Sequence, residues 1–180
     1  MWQSYLLAAG EVLKKTPPFQ AQYPIYILLE TESRDSPQAA AALEEFLGDL
    51  LENGQALDVI VPQTHEQAAL LWKFRDAIGE ILREIQPYLA FDVGIPLRSM
   101  ASFIEIIGTR LSQAYPNAKN LFFGHLGDGN LHLSTGPHVE TDLLIVEELV
   151  YAEVERVGGS ISAEHGIGRI KKPFLKHSRS

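Results

Sequence analysis

Apolar residues recur with two periods along the chain, and the switches between them mark out an element order. Helical spacing from Trp2 to Lys14 predicts a first helix, ending before Thr16-Pro17-Pro18. Tyr23 to Glu30 (YPIYILLE) is dense in aromatic and β-branched residues and reads as a strand. Ser36 followed by Pro37 is an N-cap with proline at the first helical position, opening a helix to Glu52 that Asn53-Gly54 stops. Ala56 to Val61 reads as a short strand. Thr64 with Gln67 three residues on forms a capping box for a helix to about Ile85. Tyr88 to Ile95 alternates as a strand that Pro96 closes, and Met100 to Ala114 carries a helical stripe of Phe103, Ile106, Ile107 and Leu111. Asn120 to Ser134 reads as strand, turn and strand. Thr141 to Arg156 is a helix closed by Gly158-Gly159, and Lys172-Pro173 marks a further helix start.

Strands and helices alternate, yet the only tight strand connection is a hairpin. This predicts an α+β domain of ferredoxin-like type, with helices packed on a mostly antiparallel sheet. The competing doubly wound parallel sheet, in its dinucleotide-binding form, calls for a glycine-rich turn after the first strand. The turn here, Glu30 to Asp35, is acidic and has no glycine. The chain reads as one domain over residues 1–180, and its last residues, KKPFLKHSRS, read as a helix cut short.

Composition narrows the chemistry. With no cysteine, zinc–thiolate sites, cysteine-ligated clusters and thiol nucleophiles are excluded, so any metal must be held mainly by His, Asp or Glu. Fifteen basic residues against 23 acidic ones give a net charge of −8, which leaves no chain-wide basic footprint for nucleic acid. No apolar run nears the roughly 20 residues that cross a bilayer, and no secretory signal follows Met1. These features give a cytoplasmic expectation and leave a homodimer open.

Two segments carry chemistry. In HLGDGNLH (125–132) the Asp128-Gly129 pair favours a two-residue type I′ turn, which would set His125 directly opposite His132. Opposed residues have Cβ atoms about 4.5–5.5 Å apart on one face, close enough to share a divalent cation. In SAEHGIGRIK (162–171) the adjacent Glu164 and His165 would diverge on extended backbone, one completing a two-histidine, one-carboxylate site and the other facing a substrate. His65, His138 and His177 stand singly in polar surroundings and read as solvent-facing, and Asn130 reads as serving the turn.

These two segments, in this order and separation, resemble the carboxy-terminal domain of the FAD-linked oxidases, a branch of the vanillyl-alcohol oxidase class that includes D-lactate dehydrogenases, the glycolate oxidase catalytic subunit and D-2-hydroxyglutarate dehydrogenase. The resemblance extends over nearly the whole chain, including Trp72 to Arg75 and FDVGIP (91–96), and is nearest in character to the 2-hydroxyglutarate branch. It implies that His125, His132 and Glu164 hold a divalent metal, zinc first among the candidates, that His165 is the general base, and that Arg75 binds a substrate carboxylate. It further implies an FAD cofactor cradled by a domain outside this sequence, a small 2-hydroxy acid as substrate, and an electron acceptor that the sequence does not identify. Three positions depart from the branch: Gly79 stands where it has threonine, Ala90 where a lysine is frequent, and Ser134 where an asparagine is frequent.

The chemistry so implied is oxidation of a D-2-hydroxy acid to the 2-oxo acid, with hydride passing to flavin. Two rivals use the same residues: a metal-dependent hydrolase working through a bound water, and a metal-binding module without turnover.

Overall fold

A computed structural model describes residues 1–32 and 36–178. Part of the acidic turn, residues 33–35, lies outside these. Helices α1 (Gln3–Leu13), α2 (Ser36–Glu52), α3 (His65–Asp76), α4 (Ile78–Glu84), α5 (Leu97–Ala114) and α6 (Leu143–Arg156) accompany strands β1 (Leu89–Gly94), β2 (Lys119–His125) and β3 (Asn130–Gly136). The sheet is antiparallel with order β1-β3-β2. This is the α+β class expected from the sequence. The run β1-α5-β2-β3-α6 follows the ferredoxin-like order through its fifth element. Where a fourth strand would flank β1, the chain makes a single antiparallel bridge from Ser160 to Gly94.

Alternation along the strands gives the sheet two different faces. Phe91, Val93, Phe122, Leu131 and Leu133 pack with Phe103, Ile107 and Leu111 of α5 and Val146, Val150 and Val154 of α6 into the larger core. On the opposite face Leu121 and Phe123 pack with Tyr5 and Ala9 of α1 and with Phe74, Ile81 and Ile85 around α3 and α4. Beyond that second cluster the same face carries Asp92 and His132, paired in register. The polar end of this face carries the candidate site.

Three expectations about elements and one about histidines are corrected. Tyr23–Glu30 is not a strand; it makes one bridge, Ile25 to Trp2, and Ile27 is 63% exposed. Ala56–Val61 is also irregular, with Leu57 74% exposed. Both have strand composition, but a strand needs a partner ladder, and neither has one among the described residues. The helix expected from Thr64 to Ile85 keeps its capping box, with Gln67 N donating to Thr64 Oγ1 (3.2 Å) and Thr64 N to Gln67 Oε1 (3.2 Å). It breaks at Ala77, however, where the buried Tyr5 hydroxyl donates to the Arg75 carbonyl (2.5 Å). That side chain takes an acceptor of the helical ladder, and Gly79 weakens the turn that follows. Finally, His138 and His177 are buried, not solvent-facing. His138 Nε2 lies 2.9 Å from Thr135 Oγ1.

His177 ends the 3₁₀ segment Lys172–His177, its ring nitrogens 2.7 Å from Glu155 Oε2 and 3.1 Å from Glu148 Oε1. Hydrogen bonds from Lys176 and His177 hold the Glu148 carboxyl below its ordinary value of 4.5. A carboxyl depressed in the folded state contributes stability that is present above its unfolded value and lost as pH falls through the folded one. Amide exchange around residues 174–178, corrected for intrinsic rates, is therefore expected to quicken as pH drops below 4.5. Protection that stays constant into acid would contradict this latch.

Candidate metal and substrate site

The hairpin between β2 and β3 does not use the two-residue turn that Asp128-Gly129 suggests. A four-residue loop forms instead, with a 3₁₀ turn at Leu126–Asp128 and Gly129 at φ +72°. His125 pairs with Asn130, and His132 with Phe123. The reason is both local and tertiary. Asp128 Oδ1 accepts from Asn130 N (3.0 Å), and the Gly129 carbonyl accepts from Ile95 N (2.8 Å) beyond the end of β1. That contact leaves no room for a side chain: a Cβ on residue 129 would lie 2.7 Å from the Ile95 oxygen. The register thus slips by two residues relative to the expectation. An even slip keeps every side chain on its face, so His125 and His132 still meet, with ring centroids 5.6 Å apart and planes nearly perpendicular.

The loop after α6 closes onto β1. Gly94 and Ser160 exchange backbone hydrogen bonds of 2.9 and 2.8 Å, and Gly159 passes so near that a Cβ there would sit 2.5 Å from the Gly94 oxygen. Ala163 N donates to the Asp92 carbonyl (3.3 Å), while Glu164 N (3.1 Å) and His165 N (3.0 Å) both donate to Asp92 Oδ2. Consecutive N–H groups point opposite ways on extended backbone, so two aimed at one oxygen mean that the chain bends here. The expected divergence of Glu164 and His165 is corrected accordingly: a carboxylate oxygen of Glu164 and a ring nitrogen of His165 lie within 4.8 Å of each other.

Donor atoms of His125, His132 and Glu164 lie within 4.8 Å of one another, and so, separately, do those of Asp92, Glu164 and His165. His132 is half-buried; His125, Glu164 and His165 are exposed. Burial holds the His132 imidazole below its ordinary value, against the opposing pull of Asp92. Burial alone would raise the Asp92 carboxyl, but the N–H groups of His165 and Glu164, followed by the Lys171 charge, hold it low. Burial lowers Lys171, whose ammonium donates to the Asp92 carbonyl (3.1 Å). A cavity of about 320 Å³ adjoins Glu164 and is lined also by Ser160, Ser162, Ile167 and Leu175.

Arg75 stands apart from this cluster. Its guanidinium pairs with Asp76 (3.0 Å). Its link to the site runs through Tyr5, which bonds its carbonyl and stacks on Phe123, which in turn stacks on His132. Two of the sequence departures, Ala90 and Ser134, are register partners on the face that carries Asp92 and His132. Asn130 does serve the turn through its backbone, but its buried side-chain amide has no partner among the described residues. Asp92 is the central residue that the sequence reading missed. Its signal was a carboxylate within the otherwise apolar strand run YLAFDVGI. Lys171 was visible only as the last residue of the SAEHGIGRIK segment.

Comparison with known proteins agrees with the family resemblance read from the sequence. The profile of FAD linked oxidases, C-terminal domain, matches residues 1–180. The chain belongs to this family. A D-2-hydroxyglutarate dehydrogenase of Stutzerimonas stutzeri is 35% identical over 97% of the chain and 38% of its own length. One of Xanthomonas citri is 36% identical over 91% of the chain and 36% of its own length. The mitochondrial D-2-hydroxyglutarate dehydrogenase of Rattus norvegicus is 33% identical over 94% and 32%. The chain therefore spans about a third of the length of these relatives. The mitochondrial label of the rat protein gives the cytoplasmic expectation no support, and among the described residues no helix is long and apolar enough to cross a membrane.

Proposed function

We propose that the chain is the substrate domain of a flavin-dependent D-2-hydroxy acid dehydrogenase, with His125, His132 and Glu164 as ligands of a divalent cation, His165 as general base and Arg75 as a carboxylate clamp. The observation that carries this reading is the approach of three donor groups from two separate segments to within 4.8 Å of one another. Two imidazoles and a carboxylate suit zinc, and three protein ligands leave positions open for substrate. A cation held there would polarise the hydroxyl and carboxylate of a 2-hydroxy acid. No glycine-rich phosphate cradle follows a strand among the described residues, so we place the flavin mainly on another part of the protein. Bound there, it would accept the hydride leaving C2.

The chain's own residues do the remainder. His165 receives the hydroxyl proton as the C2–H bond breaks and the carbonyl forms, a role suited to an imidazole. Its backbone is anchored to Asp92, so the ring is presented from a fixed point. The Arg75 guanidinium exchanges Asp76 for a substrate carboxylate, which it can hold in bidentate fashion. With Ala90 and Ser134 at positions where the 2-hydroxyglutarate branch carries larger polar groups, the substrate class is best stated as a D-2-hydroxy acid.

The test is turnover of D-2-hydroxyglutarate and D-lactate, with an artificial electron acceptor, by the complete flavoprotein beside the 180-residue chain alone. Oxidation of a D-2-hydroxy acid by the flavoprotein and none by the chain is expected. Metal-dependent hydrolysis by the chain without flavin, or a flavoprotein inert toward every 2-hydroxy acid, would contradict the proposal.

A further inference from the structure

Two donor clusters share Glu164, and the hydrogen bonds around Asp92 decide between them. Asp92 is buried in the middle of β1, with its side chain 8% exposed. Its Oδ2 accepts from the N–H groups of Glu164 and His165, 72 and 73 residues away in sequence. Its Oδ1 lies 3.3 Å from Glu164 N and 3.9 Å from His132 Nδ1. The Lys171 ammonium stands 3.8 Å from Oδ2. A carboxylate already accepting two backbone hydrogen bonds and facing a lysine charge has little to offer a cation, and that lysine would repel one. The Asp92, Glu164 and His165 group is therefore scaffold, and the His125, His132 and Glu164 group is left free for a ligand.

We propose that Asp92 is the positioning residue of this site: it bends residues 163–165 against β1, bringing Glu164 to the histidines of the hairpin and setting His165 beside them. The proposal rests on the reading of His125, His132 and Glu164 as cation ligands. The clamp acts through backbone. It specifies where the Glu164 and His165 α-carbons sit, while Lys171 offsets the buried charge and ties the far end of the loop to the Asp92 carbonyl. Without the clamp, the exposed loop is free to relax toward extended backbone, on which Glu164 and His165 point apart.

The experiment uses the chain with Asp92→Ala and Asp92→Asn, read by zinc affinity and, without metal, by hydrogen exchange of the Glu164 and His165 amides. Asp92→Ala is expected to weaken zinc by about 10–100-fold, the usual cost of losing an outer-shell partner, and to speed exchange at both amides. Asp92→Asn is expected to restore both readouts, because one amide oxygen in place of Oδ2 can accept both N–H groups. Wild-type zinc affinity and unchanged exchange in Asp92→Ala would overturn the proposal. So would an Asn variant as impaired as the Ala variant, since charge and not the acceptor would then be what matters. If the wild-type chain takes up no zinc, the cation reading itself fails, and the exchange arm alone decides whether Asp92 holds the loop.

Discussion

Replacing His125 with alanine is expected to abolish stoichiometric zinc binding while leaving the fold intact. His125 ends β2 and is exposed, so its ring is not part of either apolar core. Removing it leaves one imidazole and one carboxylate, too few for a stable structural or catalytic zinc site. The loss should exceed the about 10–100-fold expected of an outer-shell change such as Asp92→Ala. Metal content after dialysis, beside an unchanged denaturation midpoint, is the measurement. Full retention of zinc would remove His125 from the ligand set.

His165→Ala in the complete flavoprotein is expected to lower turnover by about 10²–10⁴-fold, the range for loss of a general base, with KM and bound metal little changed. The variant keeps its backbone N–H, so the hydrogen bond to Asp92 that shapes the loop persists. The loss should therefore report on the imidazole and not on a displaced Glu164. Adjacency in sequence cannot separate the roles of residues 164 and 165, but this pair of readouts can. A variant with wild-type turnover and intact metal would place the base elsewhere.

Helices and sheet faces were legible from the sequence because both depend on local periodicity. The alternation through Phe91 and Val93 and most of the stripe (Phe103, Ile107 and Leu111) bury the residues expected, with Ile104 in the core and Ile106 only half-buried. The convergence of His125 and His132 was legible for a subtler reason: parity survives a two-residue slip. The register itself was not legible. It is set by the Ile95 N–H reaching the Gly129 carbonyl, a contact that no turn propensity encodes. The strand-like runs at 23–30 and 56–61 failed in the opposite sense, since their composition fits a sheet but no neighbouring strand among the described residues receives them.

Buried histidines show the same limit. His138 and His177 looked solvated because their neighbours in sequence are polar, whereas the Tyr115 ring against His138 and the Glu148 and Glu155 carboxylates on His177 come from tertiary packing. Asp92 is the most consequential example. Its strand could be read from alternation, but its function lies in two N–H groups that the fold brings back from beyond α6.

The most direct measurement is anomalous diffraction at the zinc edge from crystals of the chain grown with zinc. One strong peak is expected, about 2.0–2.2 Å from a ring nitrogen of His125, a ring nitrogen of His132 and a carboxylate oxygen of Glu164. A peak among Asp92, Glu164 and His165 instead, or no peak at either group, would contradict it.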